Sequence, residues 1–121
     1  MKPKPSIMPL IRLLFVFNVE NALTDGQEKI IVSKDVNLDS ALSELFDIFL
    51  RPQFINRPHN VLEEYIGVIS YYLDAGDNFD SLFEQMETYF DQEIHDQRHF
   101  MEVLLRCLKC YQSEVSKSST N

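Results

Sequence analysis

Glycine is scarce, three in 121 residues, which argues against an all-β chain turning back on itself at many tight hairpins. Cysteine is scarcer still: Cys107 and Cys110 are too few for a disulfide framework and suit a reducing cytoplasm better than an oxidising exterior. No apolar run approaches the ~18 residues of a membrane span. Internal repeats, a glycine-rich phosphate loop, Walker and Rossmann patterns and a nucleophile elbow are all missing, so no standard catalytic signature is present. The sharpest absence is of positive charge. From Pro58 to Gln97 there is neither Lys nor Arg.

That window holds ten acids, Glu63, Glu64, Asp74, Asp77, Asp80, Glu84, Glu87, Asp91, Glu93 and Asp96, and so carries −10 of a net −8. Outside it, eleven basic against nine acidic residues leave +2. Such a surface repels nucleic acid and anionic lipid and attracts basic proteins or cations. Hydrophobic content of 45% and charged content of 25% are ordinary for one globular domain with its own core. The first 22 residues imitate a signal peptide, but Pro9 and Arg12 interrupt the apolar part and Glu20 stands where cleavage needs a small residue. The expectation is a cytoplasmic protein.

The patterning predicts a mainly α, single-domain bundle of about five helices over residues 1–117, followed by a flexible polar tail at 118–121. Residues Leu10 to Leu23 read either as a buried helix or as the first arm of a β-hairpin turning at Asp25-Gly26, because a short apolar run does not fix its period. Leu38, Leu42, Leu45, Phe46 and Phe49 recur at helical spacing behind Asn37 or Asp39 as cap, with Pro52 ending the run. After the loop RPQFINRPHN, a helix capped at Asn60 carries Val61, Tyr65, Ile66, Ile69, Tyr72 and Leu73 on one face and stops at Gly76.

The stretch NFDSLFEQMETYFDQEIHDQRH, Asn78 to His99, reads as an amphipathic helix with a break. At about 100° per residue, Asp80, Glu84, Glu87 and Asp91 fall within an arc of about 60°. Phe79, Leu82, Phe83, Met86, Tyr89 and Phe90 form a separate stripe roughly 130° away. Glu93 and Asp96 would land on the apolar stripe if the helix continued, so a break is expected between Gln92 and Asp96, with a last helix from about Asp96 to Val115. Like charges at i,i+4 bring the helix no benefit. The row reads either as a solvated face or, since a solubilising face usually mixes signs, as a docking strip for a Lys/Arg-rich partner.

Two motifs suggest metal or thiol chemistry. In HDQRH, His95 and His99 stand at i,i+4, a spacing that on a helix can share zinc, with Asp91 a turn before and Glu102 a turn after. The expected break at His95 separates them, and the expectation is two surface histidines with no metal. CLKC lies late in a helix, without the N-terminal dipole that activates thioredoxin-like thiols, and about 12 Å from the His pair. It is expected to be a half-buried structural pair. The carboxylate row lacks the burial that moves a pKa toward neutrality, so no catalytic set, enzyme activity or cofactor is expected.

The segment Tyr89-Phe90-Asp91-Gln92-Glu93 resembles the Tyr-Phe-His-Gln-Asp stretch of some contact-dependent growth inhibition immunity proteins. Asp91 replaces the histidine, the stretch lies late in this chain and early in theirs, and it covers five of 121 residues. The resemblance implies a class: a small acidic inhibitor that neutralises a cationic toxin domain such as a nuclease. On the residues themselves, partner binding is expected at Asp77, Asp80, Glu84, Glu87 and Asp91, with the exposed aromatic Tyr71 as anchor. A helical adaptor for a basic partner, and a metal-dependent hydrolase at HDQRH, are the alternatives.

Overall fold

The computed structural model describes residues 4–54 and 59–119. Among them are seven α-helices, one 3-10 turn and no strand. Helix α1, Met8–Leu14, starts with Pro9 in its first turn, and the Ser6 hydroxyl accepts from the Met8 N–H at 3.1 Å. Its Leu10, Leu13 and Leu14 are buried at i, i+3 and i+4 spacing, and a 3-10 turn, Phe15–Phe17, carries the chain on to buried Phe17. The hairpin alternative is corrected: Asp25-Gly26 opens helix α2, Asp25–Ser33. A reciprocal capping box decides this, the Thr24 hydroxyl accepting from Gln27 N–H and the Gln27 side chain accepting from Thr24 N–H.

Helix α3, Asp39–Phe49, buries the expected Leu42, Leu45, Phe46 and Phe49. Its N-cap is Leu38, which makes no side-chain cap bond, in place of Asn37 or Asp39; both of those side chains are engaged elsewhere. Pro52 sits inside a one-turn helix, α4, Arg51–Phe54, at a first-turn position where a missing N–H is harmless. Of the expected loop, residues 55–58 lie outside the described residues, and its last two are in the next helix. Helix α5, His59–Asp74, begins one residue before the expected cap at Asn60. Gly76, at φ +75°, ends it in a Schellman arrangement: Asp77 N–H donates to Tyr72 C=O at 3.0 Å and Gly76 N–H to Leu73 C=O at 3.1 Å.

Helix α6, Asp80–Phe83, is a single turn, and the long helix α7, Gln97–Ser119, closes the bundle. α7 packs along α5 and α3, and α1 lies against α5. The helix runs through two residues of the expected tail, whose last two lie outside the described residues. No helix of the described residues is long and apolar enough to cross a membrane.

Four phenylalanines from four separate parts of the chain close a ring at the centre of the bundle. Phe17 lies 6.1 Å from Phe46, Phe46 lies 5.5 Å from Phe100, Phe100 lies 6.1 Å from Phe90, and Phe90 lies 5.2 Å from Phe17. Phe17 is fully buried and also meets Phe49 edge-on at 5.6 Å. Truncating it opens a cavity that rigid neighbours cannot fill. Phe17→Ala should therefore lose about 3–5 kcal/mol of stability in urea denaturation, whereas a loss under about 1 kcal/mol would mean that the ring is not the centre of the core.

Candidate functional site

The acidic stretch is not a helix. After the single turn of α6 the chain turns at Glu84–Gln85, forms a single bridge at Thr88, and stays non-helical to Asp96. The expected arc of Asp80, Glu84, Glu87 and Asp91 on one helix is thereby corrected, and the break expected between Gln92 and Asp96 begins eight residues earlier, at Glu84. Tertiary contacts explain the difference. Val19 N–H donates to Glu87 C=O at 2.7 Å and Tyr89 N–H to Phe17 C=O at 2.9 Å, around an antiparallel bridge between Asn18 and Thr88. The Tyr89 hydroxyl reaches Asn21 C=O at 2.8 Å and Val19 C=O at 3.1 Å. Together with the burial of Met86 and the seating of Phe90 in the aromatic ring, these outweigh a helix already weakened by like charges at i,i+4.

Both ends of the segment are fixed. At the start, Asp77 Oδ1 accepts from Phe79 N–H at 2.7 Å and Asn78 Oδ1 from Asp80 N–H at 3.0 Å. This holds buried Phe79 at φ +65°, a left-handed conformation that costs a non-glycine residue about 1–3 kcal/mol. At the far end, the Asn37 side chain spans two backbone groups, donating to Glu93 C=O at 2.8 Å and accepting from His95 N–H at 2.9 Å. Asp96 then caps α7, its Oδ1 accepting from His99 N–H at 3.0 Å.

The expected partner-binding residues divide into two groups. Asp77 is half-buried, caps the turn, and lies 4.0 Å from Lys4 Nζ; Asp80 Oδ1 accepts from Gln97 Nε2 at 2.7 Å. Both carboxylates serve the fold. Glu84, Glu87 and Asp91 are exposed, as is Glu93, and none of the four is in an ion pair with a described residue. Tyr71 is 41% exposed on α5, its ring edge-on to Tyr72 at 5.4 Å, and Tyr72 in turn lies 6.1 Å from Phe79 at the head of the acidic segment. Residue patterning missed Asn37, Gln97 and the Asn18–Thr88 bridge. A signal for the bridge was present in Thr88-Tyr89-Phe90, three strand-favouring residues in succession.

Nearby cations are occupied. Arg98, half-buried, donates to Asp77 C=O at 2.7 Å and Leu73 C=O at 3.2 Å, placing its charge at the C-terminal end of α5 where the helix dipole favours it. Lys34 pairs with Glu44, Arg51 with Glu114 at 2.9 Å, and Arg106 lies 3.9 Å from Asp39.

The two histidines do not share a helix face. His95 precedes α7, and His99, in its first turn, has Nε2 within 2.6 Å of Asp39 Oδ1 and Nδ1 3.9 Å from Glu102. Among the described residues no group of three His, Cys, Asp or Glu is placed to hold a metal ion. Cys107 is buried and Cys110 exposed, and burial pushes the Cys107 thiol pKa up. Tyr111 donates to Asp47 Oδ1 at 2.6 Å, and burial first, then this bond, raises its hydroxyl pKa far out of reach. No protein-family model, curated protein or solved structure matches the chain.

His99 supplies a pH dependence. Its hydrogen bond to Asp39 raises the imidazole pKa above the ordinary value; burial, the next effect in size, opposes this, and the charges of Asp39, Glu102 and Asp96 add to the rise while Arg106 faces Asp39 from the same helix. A raised pKa means that the folded state holds the proton more tightly. The stabilisation is therefore complete below about pH 6.5, the unfolded value, and fades as pH rises through the folded one. Wild type should exceed His99→Ala in thermal midpoint at about pH 5.5, with the gap closing by about pH 8.5. A gap that is constant with pH would assign the effect to packing instead.

Proposed function

We propose that this chain is a cytoplasmic inhibitory protein of the immunity type, which binds and neutralises a cationic toxin domain, most simply a nuclease. The observation that carries this is the state of Glu84, Glu87 and Asp91: exposed, and unpaired with any described residue, on a segment pinned to the core at both ends. A nuclease must present a basic surface to hold its anionic substrate. A fixed group of exposed carboxylates can occupy that surface and steer the encounter, raising association rates by about 10–10³-fold at low salt. Asp77 and Asp80 contribute to the same negative field while holding the turn, and Tyr71 offers an aromatic anchor beside it. The tethering matters energetically, because little loop ordering is left to be done on binding.

Reversing charge tests this. The double variant Glu84→Lys/Glu87→Lys should associate about tenfold or more slowly than wild type with a cationic nuclease domain encoded next to it, at low salt, and the two should converge as salt screens the field. Both side chains are exposed, so thermal stability should stay within about 0.5 kcal/mol of wild type. Unchanged rate and affinity at low salt would reduce the carboxylates to a solvated surface.

A further inference from the structure

Beside the exposed carboxylates lies a cleft of about 490 Å³, within the size range of pockets that hold a ligand. Buried Met86 and the half-buried rings of Phe83 and Phe90 form its apolar side; exposed Glu93 and Gln92 and half-buried Gln97 form its polar side. Its walls are set by packing. Phe83 stands edge-on to Phe100 at 5.3 Å, and Phe90 is held between Phe17 and Phe100. Glu93 is positioned through its own carbonyl, which accepts from Asn37.

Thr88, with a hydroxyl, and Ile94 complete the lining, and the partners of Gln97 fix which way its amide faces. Gln97 Nε2 donates to two oxygens, Asn78 C=O at 2.8 Å and Asp80 Oδ1 at 2.7 Å. Those partners can only accept, which fixes the orientation of the amide and leaves Oε1 as its remaining function, with no donor to it among the described residues. The Glu93 carboxylate likewise has no ion pair there. The cleft thus brings together the Glu93 carboxylate, the Gln97 and Gln92 amides and the Thr88 hydroxyl with two aromatic rings, Ile94 and a thioether. A group that suits the carboxylate and the Gln97 oxygen is cationic and rich in donors, with a stem that is apolar or planar beside the rings. Arginine meets all three requirements: five N–H donors, a permanent charge, and a guanidinium that stacks on aromatic rings. Lysine has the charge but a compact ammonium with fewer donors and no planar face.

We propose that this cleft receives an arginine side chain of the partner, the guanidinium on Glu93 and Gln97 and the stem along Phe83, Phe90 and Met86. The assignment rests on the basic-partner function above and adds its anchoring residue: the exposed carboxylates govern encounter, the cleft governs residence.

The test uses the isotope-labelled full chain and three peptides, acetyl-Gly-Gly-Xaa-Gly-Gly-amide with arginine, lysine or the neutral isostere citrulline at the centre. The arginine peptide should shift the amides of Phe90, Glu93 and Ile94 saturably, with the citrulline peptide at least about tenfold and the lysine peptide about threefold weaker. Glu93→Gln should weaken arginine binding about fivefold or more, and Glu84→Lys/Glu87→Lys should change it less than about twofold at ~0.15 M salt, where more distant charges are screened. Equal binding of the three peptides, indifference to Glu93→Gln, or shifts confined to other surfaces would overturn the arginine cleft. If that happens while nuclease association still responds to the double reversal, the basic-partner function stands without the cleft. If the cleft binds arginine while nuclease association ignores both reversal and salt, the cleft stands and the steering row falls.

Discussion

The closed ring of Phe17, Phe46, Phe90 and Phe100 is the contact on which the rest of the molecule depends. Its members come from the 3-10 turn after α1, from α3, from the non-helical acidic segment and from α7, so four distant parts of the chain meet in one place. Aromatic pairs contribute about 0.5–1.5 kcal/mol each beyond the area that they bury, and the ring also decides secondary structure. Phe90 is seated against Phe17 while the backbone beside it pairs with residues 17 to 19, as Tyr89 N–H and Glu87 C=O do. A regular helix would turn those backbone groups to its own internal bonds. Helical hydrogen bonds are given up over Glu84–Asp96, and bridge bonds, the Tyr89 hydroxyl and the Asn37 side chain replace part of them.

That exchange sets the electrostatics. On a helix, the acids would have formed a regular row with i,i+4 repulsion along it. On the pinned segment, Asp77, Asp80 and Asp96 bond backbone or side-chain donors and shape the two ends, while Glu84, Glu87, Asp91 and Glu93 are exposed and in no ion pair with a described residue. Carboxylates of one stretch thus do two jobs, some as caps and some as free charge. Arg98, the first cation after the acidic window, is directed to the carbonyls of Leu73 and Asp77. The negative field of the segment is left largely unneutralised in the one region where the sequence places no base.

The helical class, the buried face of α3, the Gly76 terminator and the separation of His95 from His99 were legible in the residues, because each follows from local periodicity or from one residue's conformational freedom; on α5, Ile69 and Tyr72 are buried as expected, with Leu62 and Val68, which the pattern left out. The acidic helix was not. Its apolar positions, Phe79, Leu82, Phe83, Met86, Tyr89 and Phe90, fit a helical stripe, and all are buried or half-buried as that stripe required, yet Met86, Tyr89 and Phe90 reach the core from a non-helical chain. Periodicity reports which side chains go inward, and over so short a stretch two backbones can satisfy it. The partner that chose between them, residues 17 to 19, lies about 70 positions away in sequence. The hairpin alternative failed for a local reason instead: Thr24 and Gln27 form a capping box, and it outweighed the Asp25-Gly26 turn signal.

The central claim is that a non-helical acidic segment is held rigidly on the core by the aromatic ring and the Asn18–Thr88 bridge. Backbone chemical shifts combined with amide hydrogen exchange on the intact chain test it most directly. Residues Glu84 to Asp96 should show no helical shifts, and the Val19 and Tyr89 amides should exchange far more slowly than those of exposed Asp91 and Gln92. Continuous helical shifts from Asp80 to Asp96, or Val19 and Tyr89 amides exchanging as fast as their exposed neighbours, would contradict it.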